Sequence, residues 1–227
     1  MKYEEIIKRF KSFSDPKVLE GMARFGIKTE KAYGISLYTI RPMAKGIEKD
    51  HELAQRLWAS GIHEARILAG MVDDPNQVTE KQMESWVKDL DSWDVCDQVC
   101  SNLFDKTPFA YRKSIEWSKR DEEFVKRAGF VLMASLSVHD KKADDKKFEQ
   151  FLPIIKREST DNRNFVKKAV NWALRQIGKR NLNLNEKAIE TAKEIQKIDS
   201  KSARWIASDA IRELTSKKIK ERLKNKK

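Results

Sequence analysis

Phe124-Val-Lys-Arg-Ala128 returns as Phe165-Val-Lys-Lys-Ala169, 41 residues later, and Ala203-Arg-Trp-Ile-Ala207 is a looser third copy 38 residues beyond the second. Upstream, Glu64-Ala-Arg-Ile-Leu68 and Trp93-Asp-Val-Cys-Asp97 occupy similar places at a tighter interval of about thirty residues. Self-similarity at such a period puts one amphipathic helix in each copy, with its partner helix in between.

Helix start signals recur at matching intervals. Ser14-Asp15-Pro16 offers an N-cap with proline at the first helical position, Thr79-Glu80-Lys81-Gln82 reads as a capping box, and Thr107-Pro108 repeats the cap-plus-proline pattern. Ser92, Asp144 and Ser200 are further caps. Between them lie segments of roughly 10 to 17 residues joined by short turns, about a dozen helices in all. Only 8 glycines and 5 prolines interrupt the 227 residues, and no period-two strand appears. The expected fold is all-α, a HEAT-like helical-repeat solenoid (an α-α superhelix) of about six helix pairs, with residues 1–227 as one domain. Its second helices would line a basic concave face. Two helices of an ordinary bundle sharing five residues by chance is the competing reading of the repeat.

The totals exclude several classes. A hydrophobic content of 40% is enough to bury a core. Met1 to Phe13 alternates charge with apolar residues and lacks the run that a signal peptide or a membrane span needs, so a cytoplasmic location is expected. Cys96 and Cys100 stand four apart with no second pair, and His51, His63 and His139 are scattered. No metal site or cofactor is expected, and both thiols read as reduced, semi-buried helix residues.

Net charge is +12, and it is localised. Asp161 to Arg180 carries +5 and Lys201 to Lys227 carries +7, while the other 180 residues sum to zero. Such a footprint fits a polyanion, with nucleic acid ahead of membrane because the helices that carry it lack a broad exposed apolar face. For residues 219–227 alone, a solvated, frayed lysine tail is the favoured reading.

Two constellations stand out. On a helix from Asn164 to Gly178, Val166, Val170, Ala173, Leu174 and Ile177 form an apolar stripe, and Lys168, Trp172, Arg175 and Lys179 recur on the far side. A tryptophan in a cationic row suits a phosphate backbone with a stackable base or sugar; equally, it suits a ring that covers the next repeat beneath alkyl stems. Trp93 and Asp97 share a face one turn apart on the helix after Ser92. Asp91 or Asp94 can serve as dipole partner there, and Asp97 sits a turn deeper.

Ser92 to Asp97, Phe124 to Ala128 and Asn164 to Lys179 resemble the motifs of the AlkD-type DNA alkylation repair glycosylases, a likeness that extends through Leu57-Trp58 and His63-Glu64 and weakens over the first 40 residues and the lysine tail. The resemblance implies a HEAT-like solenoid that removes N3- and N7-alkylated purines from duplex DNA without a metal. It also implies an active centre at Trp93, Asp97, Arg127 and Trp172, with Asp97 stabilising the sugar cation, the two tryptophans flanking it, and Arg127 clamping a phosphate. Lys168, Arg175, Lys179, Arg180 and Arg204 would hold further phosphates of a DNA bound by a monomer. Ser92 departs from relatives that carry a second tryptophan there. A non-catalytic HEAT-repeat protein recognising damaged or branched DNA is the alternative. A protein-binding scaffold would call for an acidic or apolar face instead.

Overall fold

A computed structural model describes residues 1–225, and among them there is no strand. The helices are α1 (Tyr3–Ser12), α2 (Pro16–Arg24), α3 (Leu37–Lys45), α4 (His51–Ala59), α5 (His63–Val72), α6 (Glu80–Lys88), α7 (Trp93–Asn102), α8 (Ala110–Trp117), α9 (Glu123–His139), α10 (Lys146–Glu149), α11 (Phe151–Glu158), α12 (Asn164–Gly178), α13 (Leu182–Gln196), α14 (Lys201–Leu214) and α15 (Lys217–Lys224), with a 3-10 turn at Phe104–Lys106. They exceed the expected dozen because several are short, α10 having only four residues. No helix among the described residues is long and apolar enough to cross a membrane. Where the sequence reading has one domain, the contacts fall into two compact units, Met1–Phe109 and Ala110–Lys227.

In the first unit, Asp15 caps α2 by accepting from Lys17 N at 2.9 Å, with Pro16 at the first helical position. Thr79 caps α6 through Gln82 N at 3.1 Å, but the box stays half closed. The Gln82 amide instead donates to the buried Asp73 carboxylate at 2.7 Å, which also takes His51 Nδ1 at 2.7 Å. Leaving an interior carboxylate short of donors costs more than leaving one exposed helix terminus to water. Thr107 starts no helix. Its hydroxyl donates to Phe104 O at 2.8 Å and closes the 3-10 turn, and α8 begins only at Ala110.

Helix α5 packs against α3, α4 and α7. Gly70 lets α7 approach, since a Cβ there would lie 3.1 Å from Val99 Cα. Trp58 of α4 stacks on Trp86 of α6 with centroids 4.0 Å apart and planes 3° from parallel, and its indole donates to Asp89 at 2.9 Å. Glu64, fully buried in α5, accepts the backbone N–H groups of Tyr33, Gly34 and Ile35 at 2.8 to 3.1 Å. One carboxylate thereby anchors residues 33–35 of the loop before α3.

The second unit shows the repeat plainly. α8 pairs with α9, α11 with α12 and α13 with α14; the second helices α9, α12 and α14 then pack side by side, and so do the first helices α11 and α13. The recurrent motif lies in the early turns of α9, α12 and α14, and Phe124 meets Phe165 with ring centroids 5.6 Å apart. At Gly129 an added Cβ would fall 2.6 Å from Ser118 N, so α9 crosses the end of α8 where only glycine fits. The apolar stripe of α12 is wholly buried at Val166, Val170, Ala173, Leu174 and Ile177. From residue 219 on, the expected frayed tail instead continues α15 to Lys224 and buries Ile219 and Leu223. Lys226 and Lys227 lie outside the described residues.

Glu64→Gln removes the charge shared by three N–H groups and turns the oxygen that faces Tyr33 N into a donor. We expect a loss of about 2 to 3 kcal/mol in urea unfolding, and a loss under about 0.5 kcal/mol would mean that Glu64 is not the anchor.

Candidate functional site

The first unit contributes the start of α7. Ser92 takes the extended N-cap backbone (φ −144°, ψ 151°), yet its hydroxyl is buried and has no hydrogen-bond partner. Asp94 does the work at this terminus. Its Oδ1 accepts from Val95 N at 3.0 Å, and its Oδ2 lies 2.9 Å from His63 Nε2 of α5. Trp93, the first helical residue, donates its indole N–H to Phe25 O at 3.1 Å, which ties α7 to the loop after α2. With Val95, Cys96, Val99 and Cys100 buried, Trp93 and Asp97 are left half-buried one turn apart. The thiols, expected to be semi-buried, are fully enclosed; burial and neighbouring Cys96 push the Cys100 thiol well above its ordinary pKa, so it is no ready nucleophile.

The sequence reading missed the His63 and Asp94 pair. The signal was the spacing of 31 residues, the same offset that separates Tyr33 from Glu64. Beside it is a cavity of about 280 Å³ lined by Lys28, Lys31, His63, Arg66, Asp91 and Val95 among others. Burial opposes a charged imidazolium at His63, but the Asp94 hydrogen bond, with the charges of Asp94, Glu64 and Asp91, outweighs it and raises the pKa.

The second unit carries the remaining predicted residues, and they divide sharply. On α12, Lys168 is exposed and Trp172 half-buried. Arg175 is hydrogen-bonded to Glu213 and lies 3.6 Å from Asp209; Lys179 reaches Glu213 at 2.8 Å. Burial works against the Glu213 carboxylate, yet the Lys179 hydrogen bond and the two positive charges hold its pKa below the usual range. Half of the expected cationic row is therefore an ion-pair network with α14. Arg204 is exposed and pairs with Asp199 at 2.9 Å.

Arg127 and Arg180 both bond to backbone carbonyls. Arg127 is 5% exposed and donates to Phe165 O at 2.6 Å, at the start of the next second helix. Arg180 donates to Ser137 O at 2.9 Å and Ala143 O at 3.2 Å, with its guanidinium 3.9 Å from the Phe148 ring centroid. It closes the end of α9, where exposed helix carbonyls favour a cation. Among the described residues, no three His, Cys, Asp or Glu side chains gather as metal ligands.

Described residues whose regular structure is helical throughout, with helix pairs stacked second helix on second helix in the second unit, define a HEAT-like repeat protein. A solved protein of a new family related to the HEAT-like repeat DNA glycosylases, with affinity for branched DNA structures, superposes with a TM-score of 0.78 at 21% identity, over 94% of this chain and 95% of that one. A designed armadillo repeat protein in complex with a (KR)4 peptide aligns only at a TM-score of 0.40 and 13% identity, over 82% of this chain and 88% of that one. No curated protein matches the sequence. The family model described as DNA alkylation repair enzyme matches residues 6–214. The chain belongs to the DNA alkylation repair enzyme family.

The raised pKa of His63 makes the His63–Asp94 pair a pH-dependent stabiliser. Its contribution is fully present below the unfolded-state pKa, near 6.5, and is lost as pH rises through the higher folded value. The stability gap between wild type and His63→Gln should therefore be wider at about pH 5.5 than at about pH 8.5. A gap that widens with rising pH would show that the pair favours neutral histidine.

Proposed function

We propose that the protein hydrolyses the N-glycosidic bond of N3- or N7-alkylated purines in duplex DNA. The reading is carried by one observation: in a chain of this repair family, Trp93 and Asp97 stand one turn apart and half-buried on α7. Glycoside cleavage usually takes two carboxyl groups, one of which protonates the leaving group. An alkylated purine of this kind is already cationic and departs without a general acid. What remains is to stabilise an oxocarbenium-like deoxyribose and orient water, and a single carboxylate serves both. Asp97 has that role. Trp93, one turn away on the same helix, offers its ring to the sugar cation, contributing about 0.5 to 2 kcal/mol.

Lys168 and Arg204, both exposed, hold phosphates. Arg175 and Lys179 contribute less, because Glu213 already answers them. Arg127 acts as a positioning residue through the Phe165 carbonyl at the start of the helix that bears Lys168 and Trp172. Neutral bases react poorly, since none of these groups is a general acid. A second reading, binding without base release, has support from the solved relative, whose own recorded property is affinity for branched DNA.

Release of methylated purines from alkylated duplex DNA decides between them. Asp97→Asn keeps the shape and removes the charge, so base release should fall roughly a hundred- to a thousandfold, while binding to undamaged DNA holds or tightens slightly. A variant within a few-fold of wild type would exclude the mechanism. Wild type that binds but releases nothing would establish the second reading.

The ion pairs also predict how salt acts. Lys168→Ala should reduce the slope of log K against log salt by about 0.9, and Arg175→Ala by clearly less. Equal reductions, measured by titration across a salt series, would mean that DNA displaces Glu213 from its partners.

A further inference from the structure

Among the described residues of the basic second unit, Trp205 is the exposed large aromatic, and the reading above leaves it unused. The packed face of α14 is complete without it: Ala203, Ile206, Ala207, Ala210 and Leu214 are all fully buried. The Trp205 ring lies off that stripe and is 41% exposed. Lys167 Nζ of α12 stands 5.4 Å from its centroid, and Lys168, Lys201 and Arg204 are exposed on the adjoining turns. The nearby acids do not cancel this charge. Asp199 is fully in solvent against Arg204, where a pair is weak, and Asp209 is engaged by Asn171 and Arg212.

A tryptophan whose packing is not needed by the core, set among cations, has the composition of a stacking platform between phosphate contacts. The state of the nucleic acid decides what it can take. Inside a continuous duplex both faces of every base are covered by neighbouring bases, so the ring has no partner there. A base outside the stack, in a gap or beside a strand break, has a free face and flanking phosphates.

We propose that Trp205, with Lys167, Lys168 and Arg204, is a stacking site for an unstacked DNA base at a discontinuity of the duplex. The proposal rests on the DNA-binding reading above, and Trp205 has no part in the base release assigned to Asp97. It gives the α12–α14 face a preference for interrupted DNA that phosphate contacts alone do not supply.

The test compares two labelled DNAs by anisotropy at about 0.1 M salt, a fully paired duplex and the same duplex with a gap of a few nucleotides. Trp205→Ala should weaken binding to the gapped DNA roughly tenfold or more and change binding to the paired DNA by less than about twofold. Trp205→Phe, which keeps a stackable ring, should recover most of the loss. Equal losses on both DNAs, or none on the gapped one, would overturn the proposal while leaving the DNA-binding reading in place. Wild type that binds neither DNA would overturn both. Self-association of the free protein that Trp205→Ala abolishes, seen by sedimentation, would assign the ring to a second copy and likewise overturn it.

Discussion

A helix pair of ten to fifteen residues per helix cannot cover its own apolar stripe, and this constraint organises everything else in the molecule. In the second unit the solution is stacking of second helix on second helix, with the stripe of α12 shut between α9 and α14. Apolar contact gives such stacking its free energy but little register, because a stripe of small aliphatic groups tolerates sliding. Register comes from polar links that recur at the repeat offset. Arg127 reaches Phe165 O, Asn171 reaches Asp209 and Arg175 reaches Glu213, each 38 residues on. In the first unit, links of 31 residues join Glu64 to the loop at Tyr33 and His63 to Asp94.

Those links also decide where positive charge is available. A net charge of +12 describes the chain, not its surface potential at any point. Arg163 is held by Asp161, Lys126 by Glu158, and Arg175 and Lys179 by Glu213. The pairs with Glu158 and Glu213 each spend a cation on fixing one helix against another. Around the start of α12 and of α14, Lys168, Lys201 and Arg204 face solvent, with Lys167 half-exposed against the Trp205 ring.

Much of this was legible in the sequence, for reasons that are local. The stripe of α12 is a periodicity, and the helix spans Asn164 to Gly178 as the pattern requires. The spacing of Trp93 and Asp97 needs only helix geometry. What escaped depends on residues far away in the chain. Arg127 and Lys168 hold the same fourth place in their motifs, yet one is buried and the other exposed, because periodicity fixes where a side chain leaves its helix and not how far the next repeat covers it. Gln82 had the right spacing for a capping box, and the buried carboxylate of Asp73 claimed its amide. Thr107-Pro108 looked like a helix start and lies instead just before the boundary between the two units.

The start of α7 shows how a helix can carry a second carboxylate that its terminus does not use. The first-turn N–H groups and the helix dipole attract the nearest acid, and any acid that satisfies them is poorly placed to act on a ligand. Asp94 takes that position, bonded to Val95 N and to His63, so Asp97 is not required there. One turn further in, the dipole has largely faded, and Asp97 sits half-buried with Trp93 on a helix that buries Val95, Cys96, Val99 and Cys100. Such a carboxylate suits a reaction that asks for fixed negative charge near a developing cation and for no proton donor, which is the demand of a base that leaves already charged.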